Sequence, residues 1–220
     1  MQTPLPTRCL SEFLGTFFLV VIGCGAIAVD VRTEALTHVG IAIVWGLIVL
    51  TMIYAIGSVS GAHMNPAVTI AFACFKKLPV KDAMGYVPAQ CLGALAGAIA
   101  IRSVLGLDEG LLGATTVKAG LSPLGGMAVE AMMTAILMFV VIGVSTGAKE
   151  ESITAGIAVG STIAMEAFVA GPLTAASMNP ARSIGPALAS GHLTDLWVYI
   201  VGPIMGAIAG GLLRIAIHKK

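Results

Sequence analysis

The tripeptide Asn-Pro-Ala occurs twice, at Asn65-Pro66-Ala67 and at Asn179-Pro180-Ala181, 114 residues apart, and each copy interrupts an apolar run. Asn followed by Pro is a helix start: the Asn side chain caps free N–H groups, and Pro takes the first helical position, where its missing N–H costs little. Of the 220 residues around these two starts, 57% are hydrophobic and only 10% charged. A water-soluble domain of this length needs far more surface charge, so the solvent must be lipid. A helix that starts at mid-membrane leaves its first N–H groups without partners. Two such starts are tolerable only if they are buried in protein or face a water-filled cavity.

Six apolar stretches approach the roughly 20 residues that a spanning helix needs: Cys9–Val29, His38–Ile56, Ala83–Val104, Gly125–Val144, Ile153–Ala170 and Leu196–Ile217. The first is too long for a signal-peptide core and lacks a convincing cleavage site, which predicts a retained helix. The four cysteines, Cys9, Cys24, Cys74 and Cys91, form no CxxC pair and read as free thiols. The net charge of +1 gives no reason to expect a nucleic-acid partner. Arg8, Lys76, Lys77, Lys81, Lys149, Arg214, Lys219 and Lys220 fall on one side of the membrane, against Arg32, Arg102, Lys118 and Arg182 on the other. The positive-inside rule then predicts cytoplasmic termini, in agreement with six crossings; the expected location is the cell (inner) membrane, as a multi-pass protein.

The chain is a duplication. Glu12–Thr16 matches Glu130–Thr134, Gly40–Ala42 matches Gly156–Ala158, and Gly93–Gly97 matches Gly206–Gly210, all at nearly the offset that separates the Asn-Pro-Ala copies. Four matches in one order at a nearly constant offset mark a repeat. This predicts a single transmembrane domain over 1–220, with a first repeat in 1–110 and a second in 120–220. Each repeat carries three spans, an odd number, so the second is inverted and the two Asn-Pro-Ala segments approach from opposite faces. The run after Asn65, and that from Asn179 to Ser190, is about 10–12 residues long, or about 15–18 Å of helix, half a bilayer core. The expected fold is therefore all-α: six transmembrane helices plus two re-entrant half-helices in an inverted three-helix repeat. The Gly93/Gly97 and Gly206/Gly210 pairs predict close helix crossings.

Ser60-Gly-Ala-His63-Met-Asn65-Pro66-Ala67-Val68-Thr69 and Ser177-Met-Asn179-Pro180-Ala181-Arg182-Ser183 resemble the two signature loops of the aquaporins, the major intrinsic proteins. The resemblance covers the whole chain. It implies a right-handed six-helix bundle, a homotetramer with one pore per subunit, and a constriction made by Trp45, Ala167, Ala176 and Arg182. Water-selective members usually carry histidine where Ala167 stands. An alanine implies a wider, more apolar filter with an indole face opposite a guanidinium, similar to the nodulin-like branch. Glycerol channels usually carry Asp after the arginine, where this chain has Ser183. A slip of one position would put Glu166 or Phe168 in place of Ala167.

Several residues carry chemistry of their own. Two half-helix N-termini at the pore centre, each with about +0.5 charge, disfavour a cation there. Asn65 and Asn179 cap with their oxygens, which leaves their NH₂ groups to donate to passing water and break a proton-hopping chain. Arg182 sits in the first turn of its half-helix, where both dipole and depth oppose a cation; its first-repeat counterpart is Val68. Glu12 and Glu130, placed symmetrically inside spans, are expected to accept N–H bonds from the loops before each half-helix; a proton or ion relay is the alternative. Glu166 has no counterpart. His63 is expected in the cytoplasmic vestibule, as a neutral hydrogen-bonding residue or a pH-sensitive gate. The carbonyls of residues 61–64 and 175–178 are expected to form an acceptor ladder.

The expectation is a passive channel for water and small uncharged solutes such as glycerol, extending by resemblance to undissociated metalloid hydroxy acids. A strictly water-selective channel is the alternative; a coupled secondary transporter is less favoured, because the midplane offers amides and apolar walls rather than ion ligands. Neither a nucleophile–base–acid set nor metal-ligand spacing is present, so no enzyme, cofactor or metal is expected.

Overall fold

Helices α1 (Leu5–Thr33), α2 (Thr37–Ser60), α4 (Val80–Ser103), α5 (Pro123–Thr146), α6 (Ala155–Thr174) and α8 (Val198–Ile217) are each long and apolar enough to cross a bilayer, and they coincide with the six runs expected, except that Val104, Ile153 and Leu196 fall one or two residues outside their helices. Between them lie two short helices, α3 (Pro66–Cys74) and α7 (Pro180–Ser190), and a 3₁₀ turn at Glu109–Gly113. The computed structural model describes residues 3–146 and 153–218; Lys149, Lys219 and Lys220, three of the charges used to orient the chain, lie outside the described residues.

The short helices start where Asn precedes Pro. Asn65 and Asn179 are extended N-caps, and their side-chain oxygens accept from the N–H of Ala67 (2.9 Å) and of Ala181 (3.0 Å) respectively. At about 1.5 Å per residue, α3 and α7 each reach only part-way through a ~30 Å core. Their N-terminal ends meet, and their bodies are exchanged between repeats: α3 packs on α8, while α7 packs on α4.

The helix seams repeat as well. α1 crosses α4 at Gly93 and Gly97, and α5 crosses α8 at Gly206 and Gly210. A methyl at Gly93 or Gly206 would collide with the carbonyl of Phe13 or Ala131, and one at Gly97 would come 2.8 Å from that of Phe17. Backbone therefore lies on backbone at both seams, the close approach that small residues permit in lipid. The α2–α6 crossing uses Gly46 and Gly160 in the same way, each facing the other's carbonyl.

The loops ahead of the short helices share an unusual backbone. Gly61, Ala62 and Met64 have positive φ, and so do Ala175, Ala176 and Met178 at the matching positions. Left-handed backbone at a residue other than glycine costs about 1–3 kcal/mol, so something must hold these turns.

Candidate functional site

What holds them is a buried carboxylate in each repeat. Glu12 on α1 accepts from the N–H of His63 (2.9 Å) and Met64 (2.6 Å), from the Ser60 hydroxyl (2.6 Å) and from the Gln90 amide (2.8 Å). Glu130 on α5 accepts from the N–H of Ser177 (2.9 Å) and Met178 (2.7 Å) and from the Thr174 hydroxyl (2.7 Å). Both side chains are fully buried. The left-handed residues turn two successive N–H groups toward each acid, and these charge-assisted bonds offset the backbone strain.

The loops thus fixed meet at the centre. The Asn65 amide donates to the Met178 carbonyl and the Asn179 amide donates to the Met64 carbonyl, both at 2.8 Å. This refines the expectation of free amides. Each NH₂ carries two hydrogens; one ties the opposite loop and the second remains for the cavity, which both asparagines line. The Met64 and Met178 carbonyls, expected as part of an acceptor ladder, each spend one acceptor position on this exchange.

A cavity of about 210 Å³ runs past this junction. Trp45, Ala167, Ala176 and Arg182 all line it, as do His63, Asn65 and Asn179. At the position where a slip was conceivable, Ala167 faces the cavity, while Phe168 is 39% exposed on the outer side. Glu166 is buried, and among the described residues its carboxyl oxygens have no hydrogen-bond partner within bonding geometry.

Arg182 is 1% exposed, and among the described residues no carboxylate pairs with it. Its Nη1 donates to the Gly113 carbonyl at 2.6 Å, whereas Nε and Nη2 are buried without a hydrogen-bond partner among the described residues. The guanidinium carbon lies 4.7 Å from the Trp45 ring centroid. The two groups are therefore stacked rather than set on opposite walls, because a cation gains from an aromatic face where no anion is available. The indole itself lies against Gly23 of α1, where a methyl would collide with it. Gly113 and Gly23 were missed in the sequence. Gly23 sits in a Gly-Cys-Gly run whose only signal is small size, and Gly113 acts through its carbonyl, which any residue has.

On the α3 side, the His63 ring packs between Phe72 and Tyr86, and its Nδ1 lies 3.1 Å from the Thr69 hydroxyl. That hydroxyl accepts from Gln90, which also bonds Glu12. On the α7 side, Ser177, Ser183 and Thr115 form a chain of hydroxyls.

Comparison with known proteins shows the family. The sequence pattern described as "Major intrinsic protein" matches residues 2–214. The chain is 44% identical to aquaporin NIP1-1 of Zea mays over 96% of its own length and 74% of that protein's, and 45% identical to aquaporin NIP3-1 of Arabidopsis thaliana over 94% and 67%. Among solved structures it resembles the aquaglyceroporin from Plasmodium falciparum, with a TM-score of 0.81 and 26% identity over 96% of this chain and 95% of that one. With six spanning helices and these relatives, this multi-pass membrane protein belongs to the major intrinsic protein family.

Proposed function

We propose that the chain is a passive transmembrane channel for water and small uncharged solutes, glycerol among them, that refuses protons and ions. The carrying observation is the junction of Asn65 and Asn179: two capped helix N-termini, tied to one another's loops, each with an amide hydrogen left for the cavity. A water molecule there accepts from both amides and turns its own hydrogens outward, so a proton has no continuous chain to follow. The two N-terminal dipoles oppose a cation at the same place.

The filter is Trp45, Ala167, Ala176 and Arg182. Two alanines leave width, the indole gives an apolar face, and Arg182, which lines the cavity, gives a cationic donor group. This combination suits a solute with a carbon edge and a hydroxyl edge; undissociated metalloid hydroxy acids fall in the same class. The names of the aquaporin relatives and of the aquaglyceroporin neighbour support the reading. Glu12 and Glu130 act as loop anchors, and His63 as a neutral vestibule residue. The protein works as a homotetramer in the cell (inner) membrane with both termini cytoplasmic, an orientation supported by Arg8, Lys76, Lys77, Lys81 and Arg214. The pieces 1–110 and 120–220 are repeats of one domain.

Stopped-flow light scattering on proteoliposomes tests the function, with osmotic gradients of sucrose and then of glycerol. Both permeabilities should exceed those of empty liposomes; glycerol at the empty-liposome level would defeat the wide filter. Ala167→His should cut glycerol flux by at least about tenfold relative to water, since steric rejection in a fitted site reaches that size. Equal loss of both would show that Ala167 is not at the constriction.

A further inference from the structure

Pro172 lies inside α6. It has no N–H, so the carbonyl four residues earlier, that of Phe168, lacks its helical donor. A different helix supplies one. His38, at the second position of α2, places Nε2 2.9 Å from the Phe168 oxygen. The facing atom is a carbonyl, so Nε2 must carry the hydrogen, and it does so in both the neutral and the charged ring. The same ring meets Phe168 edge to face, with centroids 6.2 Å apart at 89°. It also rests over Gly171, where a methyl would come within 2.6 Å of Cε1. Donor, seat and vacated acceptor thus form one fitted unit.

Its location ties it to the filter. His38 and Trp45 are seven residues apart, two turns along the same face of α2. Ala167, which faces the cavity, is the immediate neighbour of Phe168. The bond therefore joins the two helices that carry Trp45 and Ala167, at the end of the α2–α6 contact away from the Gly46–Gly160 crossing. Without it the Phe168 carbonyl at the Pro172 break loses the donor that α2 supplies.

We infer that His38 is a positioning residue for solute selection: by completing the hydrogen bond that Pro172 vacates, it sets the separation of Trp45 and Ala167 without lining the cavity itself. This rests on the reading of Trp45 and Ala167 as filter walls.

The test is the glycerol-to-water permeability ratio in proteoliposomes. His38→Phe keeps a ring over Gly171 but removes the donor, and should shift the ratio by roughly fivefold, the scale of one net hydrogen bond. Pro172→Ala restores an N–H to α6. In that background His38→Phe should change the ratio by less than about twofold, because the Phe168 carbonyl no longer needs histidine. A ratio unmoved by His38→Phe overturns the inference, and so does an equal shift in both backgrounds, which would indicate a role for His38 unrelated to the vacated bond. Where His38→Phe yields no folded channel, judged by water flux and size-exclusion chromatography, His38→Gln and His38→Leu apply the same criterion: Gln, which keeps a donor, holds the ratio near wild type, and Leu shifts it. Ala167→His in the same assay separates the failures. If it too leaves the ratio unchanged, the filter reading fails and takes this inference with it; if it alters the ratio while the His38 variants do not, only the role of His38 falls.

Discussion

The loop before α3 and the loop before α7 have the same backbone and different surroundings. Both hold left-handed residues at three matching positions, both present two N–H groups to a buried glutamate, and both receive an asparagine amide from the other side. Around this common core the partners diverge. Glu12 takes a fourth bond from Gln90, where the second repeat has Pro203. Tyr86 donates to the Ser60 carbonyl at 2.8 Å, while the hydroxyl of its counterpart Tyr199 has no partner among the described residues. Val68 faces the cavity at the position where the second repeat places Arg182. What is shared builds the centre, where two-fold sameness is useful because a solute there meets two equal donors. What differs builds the ends, where the proposed filter occupies only the α7 side. Duplication supplied the frame, and asymmetry placed the selection on one end of it.

The largest test of this contrast removes the anchors. Glu12→Leu strips partners from two backbone N–H groups, a hydroxyl and an amide; Glu130→Leu strips one fewer. At about 1–3 kcal/mol for each buried group left unsatisfied, both should prevent recovery of stable protein or lower its melting temperature severely, with Glu12→Leu the worse. Thermal melts in detergent of both variants would rank them, and Glu130→Leu falling further would show that the Gln90 bond adds nothing.

Arg182→Val makes the second half chemically equal to the first at this position. It should leave the fold standing, because Arg182 contributes one hydrogen bond, to Gly113, and one stacking contact, with Trp45. Selection should suffer instead: glycerol flux rises and cation leak, measured as membrane-potential decay in the same vesicles, becomes detectable. Unchanged leak would place the cation barrier wholly at the asparagine junction. The smallest effect concerns the tyrosines. Tyr86→Phe should cost roughly 1 kcal/mol of stability, the worth of one hydrogen bond, while Tyr199→Phe should be close to neutral. Equal losses would mean that Tyr199 has a partner in the membrane.

How far the sequence could be read follows from the same contrast. The spans and the two half-helices were legible because lipid admits few solutions: an apolar run of sufficient length crosses, and Asn-Pro at mid-depth starts a helix. The glutamate anchors were legible through their symmetry, Glu12 against Glu130. Bonds that depend on two remote loops were not. Nothing near Arg182 points to the Gly113 carbonyl, and nothing in Trp45 says that its ring will lie against Gly23 and under a guanidinium, since a side chain's rotamer leaves no trace in composition. The Asn amides fall between: their capping role follows from the motif, whereas the donation of Asn65 to Met178 needs both loops in place.

That exchange between the loops also bears on how the protein is made. A ribosome delivers the first repeat before the second. Until α6 and α7 are inserted, the Asn65 amide and the Met64 carbonyl have no mates, and α3 lacks α8, the helix on which it comes to rest. A nascent first half thus holds a re-entrant segment with an unsatisfied tip in the bilayer, a state that lipid penalises. The chain's last third arrives as the missing piece of a closure begun in its first, so a truncated product keeps that tip unsatisfied.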